Sequence, residues 1–203
     1  MTELGTNAHA DLPGLPPLVR RAVDAARAQG FPYSCRPEQG RLLQVLAGGV
    51  SGRIGETGTG LGVGLAWLAS GARTDVRLFS VERDAERARV AAGVFEAHPE
   101  VTVVHGDWRD IEAYGPFDLL VLDGGGQGKA PGDHPAAVEH LLTPGGTVVI
   151  DDFTPTPGWP PLHEGKPDRA RLHWLEHPDL RATEIRLAPD LSTVVATLRA
   201  ARL

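Results

Sequence analysis

The chain has 203 residues, long enough to bury one complete core, with 41% hydrophobic and 23% charged residues, an ordinary balance for a globular protein. Its formal net charge of −6 argues against a general electrostatic grip on nucleic acid. Cys35 is the one cysteine, which excludes an internal disulfide and suits a cytoplasmic location. The opening residues lack a basic start followed by an apolar core, so no signal peptide is expected. No apolar run is long enough to span a bilayer.

Residues 1–14 are expected to be disordered or loosely draped, with a single folded domain over 15–203. Over 16–29 the apolar residues Leu18, Val19, Ala22, Val23 and Ala26 share one helical face. Pro16 and Pro17 suit the first turn of that helix and Gly30 its stop. A second helix is predicted over 37–47. The period then changes, and short β-rich runs alternate with helical stretches. The pairs are 52–57 with 61–70 and 76–82 with 84–98. A strand over 101–107 follows with a short link, then 117–123, a helix over 135–142, and 146–151. Runs such as LLVLD and TVVID are apolar on both sides, as parallel strands covered by helices on both faces should be. The tail offers a helix over 167–177 and two alternating runs, 180–187 and 192–199. Too few residues separate these two for a parallel crossover, so they should form an antiparallel edge hairpin. The fold class is therefore α/β: a doubly wound, mostly parallel seven-stranded sheet with a C-terminal antiparallel edge hairpin and extra N-terminal helices.

The segment GETGTGLGVG, residues 55–64, follows the first strand and opens a helix. Glycines there let the backbone approach a ligand closely. The dinucleotide fingerprint fails, because its third glycine would fall on Val63 or Leu65, and no Walker lysine followed by Ser or Thr is present. What fits is an acid followed by alternating glycines: Glu56, Gly58, Gly60 and Gly62.

This loop resembles that of the class I methyltransferases that use S-adenosylmethionine (SAM), and the resemblance continues down the chain. Glu82 ends the second strand, where the family's acid holds the ribose hydroxyls. Asp107 follows the third, where an acid commonly receives the adenine amino group. FDLLVLD ends the fourth, and LTPGG at 142–146 precedes the fifth. The likeness implies cofactor contacts from Glu56, Gly58, Thr59, Gly60, Gly62, Glu82, Arg83, Asp107, Trp108 and Asp123. A ribose diol presents two donors, which a carboxylate accepts well.

Within that superfamily the chain is most similar to the small O-methyltransferases related to the catechol and caffeoyl-CoA enzymes. That resemblance implies a divalent cation such as Mg²⁺, held by Asp123 at the fourth strand end and by Asp151 and Asp152 at the fifth. It implies Asp123 and Lys129 as catalytic residues. The family's lysine follows its aspartate closely, however, whereas here the sequence runs DGGGQGK and sets Lys129 at the far end of a glycine-rich, flexible loop. Residues 153–165, with Pro155, Pro157, Trp159, Pro160 and Pro161, are expected to lie over the acceptor pocket as a lid. His163 and His173 have no ligand spacing for a second metal. The expected activity is transfer of a methyl group to a small hydroxylated molecule, with a homodimer as the family's usual assembly. Three other readings stand beside it. They are a SAM-dependent tRNA methyltransferase, disfavoured by the acidic balance, a SAM-binding protein without catalysis, and a dehydrogenase, disfavoured by the glycine spacing.

Overall fold

The computed structural model describes residues 4–130 and 132–200. Residues 1–3 of the expected loose N-terminus and 201–203 of the expected domain lie outside the described residues. Seven strands form one sheet: β1 (Arg53–Thr57), β2 (Arg77–Glu82), β3 (Val101–His105), β4 (Phe117–Leu122), β5 (Leu142–Phe153), β8 (Leu180–Ala188) and β9 (Leu191–Leu198). A separate two-residue pair, β6 (Leu162–His163) and β7 (Lys166–Pro167), forms its own small hairpin. The sheet order is β3-β2-β1-β4-β5-β9-β8. The first five strands run parallel, and β9 and β8 close the edge antiparallel, as the short link between them requires.

The strands are apolar on both sides because the sheet is covered twice. Leu119, Val121 and Val149 face a core built with α1 (Pro17–Ala28), α2 (Pro37–Gly48), α3 (Val63–Gly71) and α4 (Ala85–Val94). Their chain neighbours Leu120, Leu122, Val148 and Ile150 face the opposite core. That second core is closed by Ile111 in a 3-10 turn, α5 (Val138–Leu141) and Trp174 of α6 (Arg169–Leu175). Each such side chain taken fully from water contributes about 1.5–3 kcal/mol.

Three elements differ from expectation. The helix predicted over 84–98 stops at Val94, because Pro99 disfavours a helical His98 and the chain turns with a His98 N–H to Phe95 carbonyl bond of 2.8 Å. The helix predicted over 135–142 shrinks to one turn, α5, because Leu142 is already paired with Phe117 in the sheet. Residues 4–14 are not loosely draped. The Thr6 hydroxyl donates to the Phe31 carbonyl at 2.7 Å and Thr6 N–H to Pro32 at 3.1 Å. His9 is buried, and its Nε2 accepts the Trp67 indole N–H at 3.3 Å. Because that indole only donates, His9 carries its proton on Nδ1, which donates to the Gly5 carbonyl at 3.0 Å. Burial pulls its pKa down. Sequence patterning missed this arm because its anchors are polar, not periodic.

Helices α2 and α3 pack so closely that side chains are excluded at the contact. A Cβ at Gly71 would overlap the Gln44 backbone, and one at Gly40 would overlap the Trp67 ring. Exposed Gly93 in α4 has open space around it. Gly71→Ala is therefore expected to lower stability by about 1–3 kcal/mol through overpacking. Gly93→Ala should raise it by about 0.5–1 kcal/mol through helix propensity. Urea denaturation of the two variants checks both signs.

Candidate active site at the strand switch point

Strand order reverses between β1 and β4, and the loops that leave their C-terminal ends meet there. Gly58, with φ +84°, touches the loop after β4: a Cβ on Gly58 would overlap Gly124, and one on Gly124 would overlap Gly58. Asp123 and Gly124 N–H both donate to the Thr57 carbonyl, at 3.1 and 2.8 Å, and the Thr57 hydroxyl donates to Gly125 at 2.9 Å. Gly60 and Gly62, at φ +55° and +90°, continue a backbone path that L side chains rarely follow. The loop then enters α3.

Beneath this loop lies a hydrogen-bonded chain of buried side chains. The Thr59 hydroxyl meets Ser80 at 2.6 Å, and Ser80 donates to Glu56 at 2.5 Å. Burial pushes the Glu56 pKa well up, with Asp123 and Glu82 adding repulsion against the Ser80 bond. The other Glu56 oxygen sits against Gly64, where a Cβ would come within 2.5 Å. Glu56 and Thr59 therefore support the loop from below. Glu82 lies at the cavity wall, buried. Its Oε2 accepts Gly60 N–H at 2.8 Å, and its Oε1 accepts Asp84 N–H at 2.9 Å and Arg87 at 3.0 Å. A carboxylate offers about four lone-pair directions, so about one remains for a ligand hydroxyl.

Two adjoining cavities follow the strand ends. One of about 190 Å³ is lined by Gly58, Glu82, Arg83, Asp107, Trp108 and Gly124, among others. The next, of about 480 Å³, shares Arg83, Asp107, Trp108 and Gly124 and extends to Asp123 and Lys129. All the sequence-predicted cofactor residues thus gather at one end of the sheet, though Glu56 and Thr59 do so as supports. Asp107 is exposed and caps the 3-10 turn, accepting Arg109 N–H at 3.2 Å and its guanidinium at 2.9 Å, which holds its pKa low. Trp108 fills the space left by Gly125 and Gly126, with Arg109 at 4.7 Å over its ring.

The loop carrying Lys129 is not slack. The Asp133 carboxylate accepts Gly126 N–H at 3.0 Å and Gly128 N–H at 2.8 Å. Buried Gln127 donates to the Leu122 carbonyl at 2.7 Å and the Asp151 carbonyl at 3.2 Å, joining the ends of β4 and β5. Its own carbonyl accepts the Trp174 indole N–H at 2.9 Å. Lys129 is thereby aimed inward. Its ammonium donates to the Asp151 carbonyl, and to that of Asp152 at 2.8 Å, and lies 3.9 Å from the Phe153 ring centroid. Sequence reasoning missed Ser80, Gln127, Asp133 and Trp174. A dense acid-and-glycine run was the one available hint, and only for Asp133.

The β5 end is strained. Its pairing with β9 shifts register between Ile150 and Phe153, and Asp152 has φ +67°, a conformation costing a non-glycine residue of order 1 kcal/mol. Asp151 is buried and accepts Asp152 N–H at 2.7 Å on Oδ1. Among the described residues no group of three His, Cys, Asp or Glu side chains could hold a metal ion. Asp123, Asp151 and Asp152 therefore do not form the ligand set that the resemblance implies. Asp151 is turned onto its neighbour's amide, and a lysine ammonium already occupies the β5 carbonyls. A third cavity, of about 130 Å³, lies beyond Lys129, lined by Asp152, Phe153, His163, Asp168 and Arg171. From the segment 153–165, Phe153, Thr154 and His163 line it. Arg171 is fully engaged there, with Asp168 at 3.1 Å, Glu184 at 3.1 Å and the Thr154 carbonyl at 2.9 Å.

Burial, with repulsion from Asp123 and Asp152, pushes the Asp151 pKa up to about 7. A carboxyl whose folded pKa exceeds its unfolded value of 3.8 binds more protons when folded. Its contribution to stability therefore falls as pH rises from about 4 to about 7. Asp151→Asn is expected to flatten this slope and to gain melting temperature relative to wild type at pH 8. Thermal melts across that range check the sign.

A sequence profile described as a methyltransferase domain matches residues 56–153, from the glycine loop to the end of β5. A Mycobacteroides abscessus protein, provisionally named an O-methyltransferase, is 36% identical over 125 residues, covering 56% of each chain. The chain spans a little over half the length of the curated relatives it matches. The structure of cofactor-bound Rv0187 from MTB aligns over 98% of this chain and 99% of its own, with 26% identity and a TM-score of 0.75. The O-methyltransferase TomG from Streptomyces achromogenes, solved in complex with SAM, aligns over 98% and 100%, with 22% identity and a TM-score of 0.73. The profile match runs from β1, beside the glycine loop, to the end of β5, so the stretch that builds the switch point is similar to a methyltransferase domain.

Proposed function

We propose that the chain binds SAM in the paired cavities at the switch point and transfers its methyl group to an oxygen of a small hydroxylated molecule. The observation that carries this is the continuous path from Glu82 past Asp107 and Asp123 to Lys129, across two cavities sharing four lining residues. The nucleoside end lies at Glu82, Asp107 and Trp108. The acceptor enters from the Lys129 side. Asp123 lines that side, and burial raises its pKa, which suits a base receiving the hydroxyl proton. The acceptor oxygen then forms a bond to the methyl carbon while the carbon–sulfur bond breaks. Its electron pair stays on sulfur, and the sulfonium becomes the thioether of S-adenosylhomocysteine. The step needs alignment more than covalent help from the protein. The divalent cation implied by resemblance does not fit these residues, and no step runs through it.

Several coarser expectations belong to the same proposal. Among the described residues no helix is long and apolar enough to cross a membrane. We infer a cytoplasmic location from the single buried thiol of Cys35. A homodimer through the N-terminal helices belongs to the same proposal.

Calorimetry is expected to register S-adenosylhomocysteine binding and no heat with NAD; the reverse result overturns the proposal. Glu82→Ala should weaken S-adenosylhomocysteine by about 1.5–3 kcal/mol, the worth of a hydrogen bond to a charged group. Methyl-labelled cofactor presented with a panel of phenols and catechols should label small molecules and leave bulk tRNA unlabelled.

A further inference from the structure

The carboxylates of Asp123, Asp151 and Asp152 crowd one corner, and such a corner ordinarily calls for a cation. Among the described residues, a lysine lies close by. Lys129 reaches the carbonyls of both Asp151 and Asp152, and its charge is felt at Asp123 and Asp151 alike. Its approach is built in: Asp133 holds the two glycine amides on either side of Gln127, and Gln127 ties the loop to the ends of β4 and β5. The lysine lines both the 480 Å³ cavity and the 130 Å³ cavity beyond it. It therefore stands at the junction of cofactor cleft and outer pocket. An ammonium has three donors. Two serve the β5 carbonyls, which leaves a third for an acceptor oxygen.

We propose that the Lys129 ammonium is the resident cation of this site, standing where a divalent ion would otherwise be held, so that the aspartates bind no metal and the acceptor oxygen is received by lysine. The acceptor part rests on the methyltransferase reading; the cation part does not. An ammonium gives the oxyanion one charge-assisted hydrogen bond and no bidentate chelation. The outer pocket should accordingly accept monohydroxylated rings as readily as catechols.

Manganese(II) is the probe, read by the electron paramagnetic resonance of the free ion. Wild type should leave the free signal unchanged up to about 1 mM, the weak end of protein sites for hard cations. Lys129→Ala removes the nearby positive charge and frees the β5 carbonyls, and should gain at least about tenfold in Mn²⁺ affinity. Adding Asp151→Asn to it should reverse the gain. Should Lys129→Ala fail to fold, Lys129→Met, which keeps an apolar stem over Phe153, carries the same comparison. Wild-type binding of Mn²⁺ below about 1 mM, or no gain in the folded variant, overturns the proposal. S-adenosylhomocysteine calorimetry on wild type separates the two readings. Loss of that binding sinks the methyltransferase reading, whereas Mn²⁺ binding with intact S-adenosylhomocysteine binding sinks only the lysine cation.

Discussion

The site depends on the contact between the backbones of Gly58 and Gly124, where the loops leaving β1 and β4 press together with no room for a side chain on either. In a parallel sheet whose order reverses between these strands, a crevice opens at their C-terminal ends. The glycine pair sets how that crevice is divided. On one side the loop runs through Gly60 and Gly62 into α3 and is pinned by the Glu82 carboxylate. On the other it runs into the glycine-rich segment that ends at Lys129. A methyl group at either glycine would push these halves apart and move the Glu82 side of the crevice relative to the Lys129 side.

Concentrating carboxylates at such a crevice has a physical cost, and the chain meets it differently at each position. Glu56 is buried and has Ser80 as its hydrogen-bond donor, so burial raises its pKa. Glu82 is buried yet surrounded by two backbone amides and Arg87. Asp151 is buried beside other acids, with its neighbour's amide as donor, and titrates near neutrality. The same residue type is thus a loop support, a hydrogen-bonded acceptor at the cavity wall and a titrating group according to its partners. Proton-transfer chemistry at pH 7 needs groups poised in this way.

The Lys129 side of the crevice is organised by polar staples more than by regular structure. Asp133, Gln127 and Trp174 come from a loop, the same loop and α6, and they converge on a glycine segment with little intrinsic preference of its own. Their combined effect is to spend little entropy at the moment of binding, because the loop is already ordered. Trp174 also belongs to the second core, so loop geometry is coupled to packing beneath the sheet.

The alternation of apolar strands and helices, the antiparallel tail and the acid-glycine loop were legible in the sequence because each is a local, periodic pattern. Local stereochemistry dictates those patterns: a strand buried on both faces must be apolar throughout, and a two-residue link cannot make a parallel crossover. The gathering of Glu82, Asp107 and Asp123 followed from strand-end positions. Tertiary structure alone decided the rest. Whether Lys129 reached solvent or the β5 carbonyls depended on Asp133 and Gln127, whose bonds span a glycine run with no period to read. Whether three aspartates converged on a metal depended on the left-handed turn at Asp152, which a register shift against β9 imposes. The buried N-terminal arm depended on long-range polar bonds, from Thr6 to Phe31 and Pro32 and between His9 and the Trp67 indole across 58 residues. Sequence spacing specifies which end of the sheet a residue occupies; the direction its side chain takes there is set by partners distant in the chain.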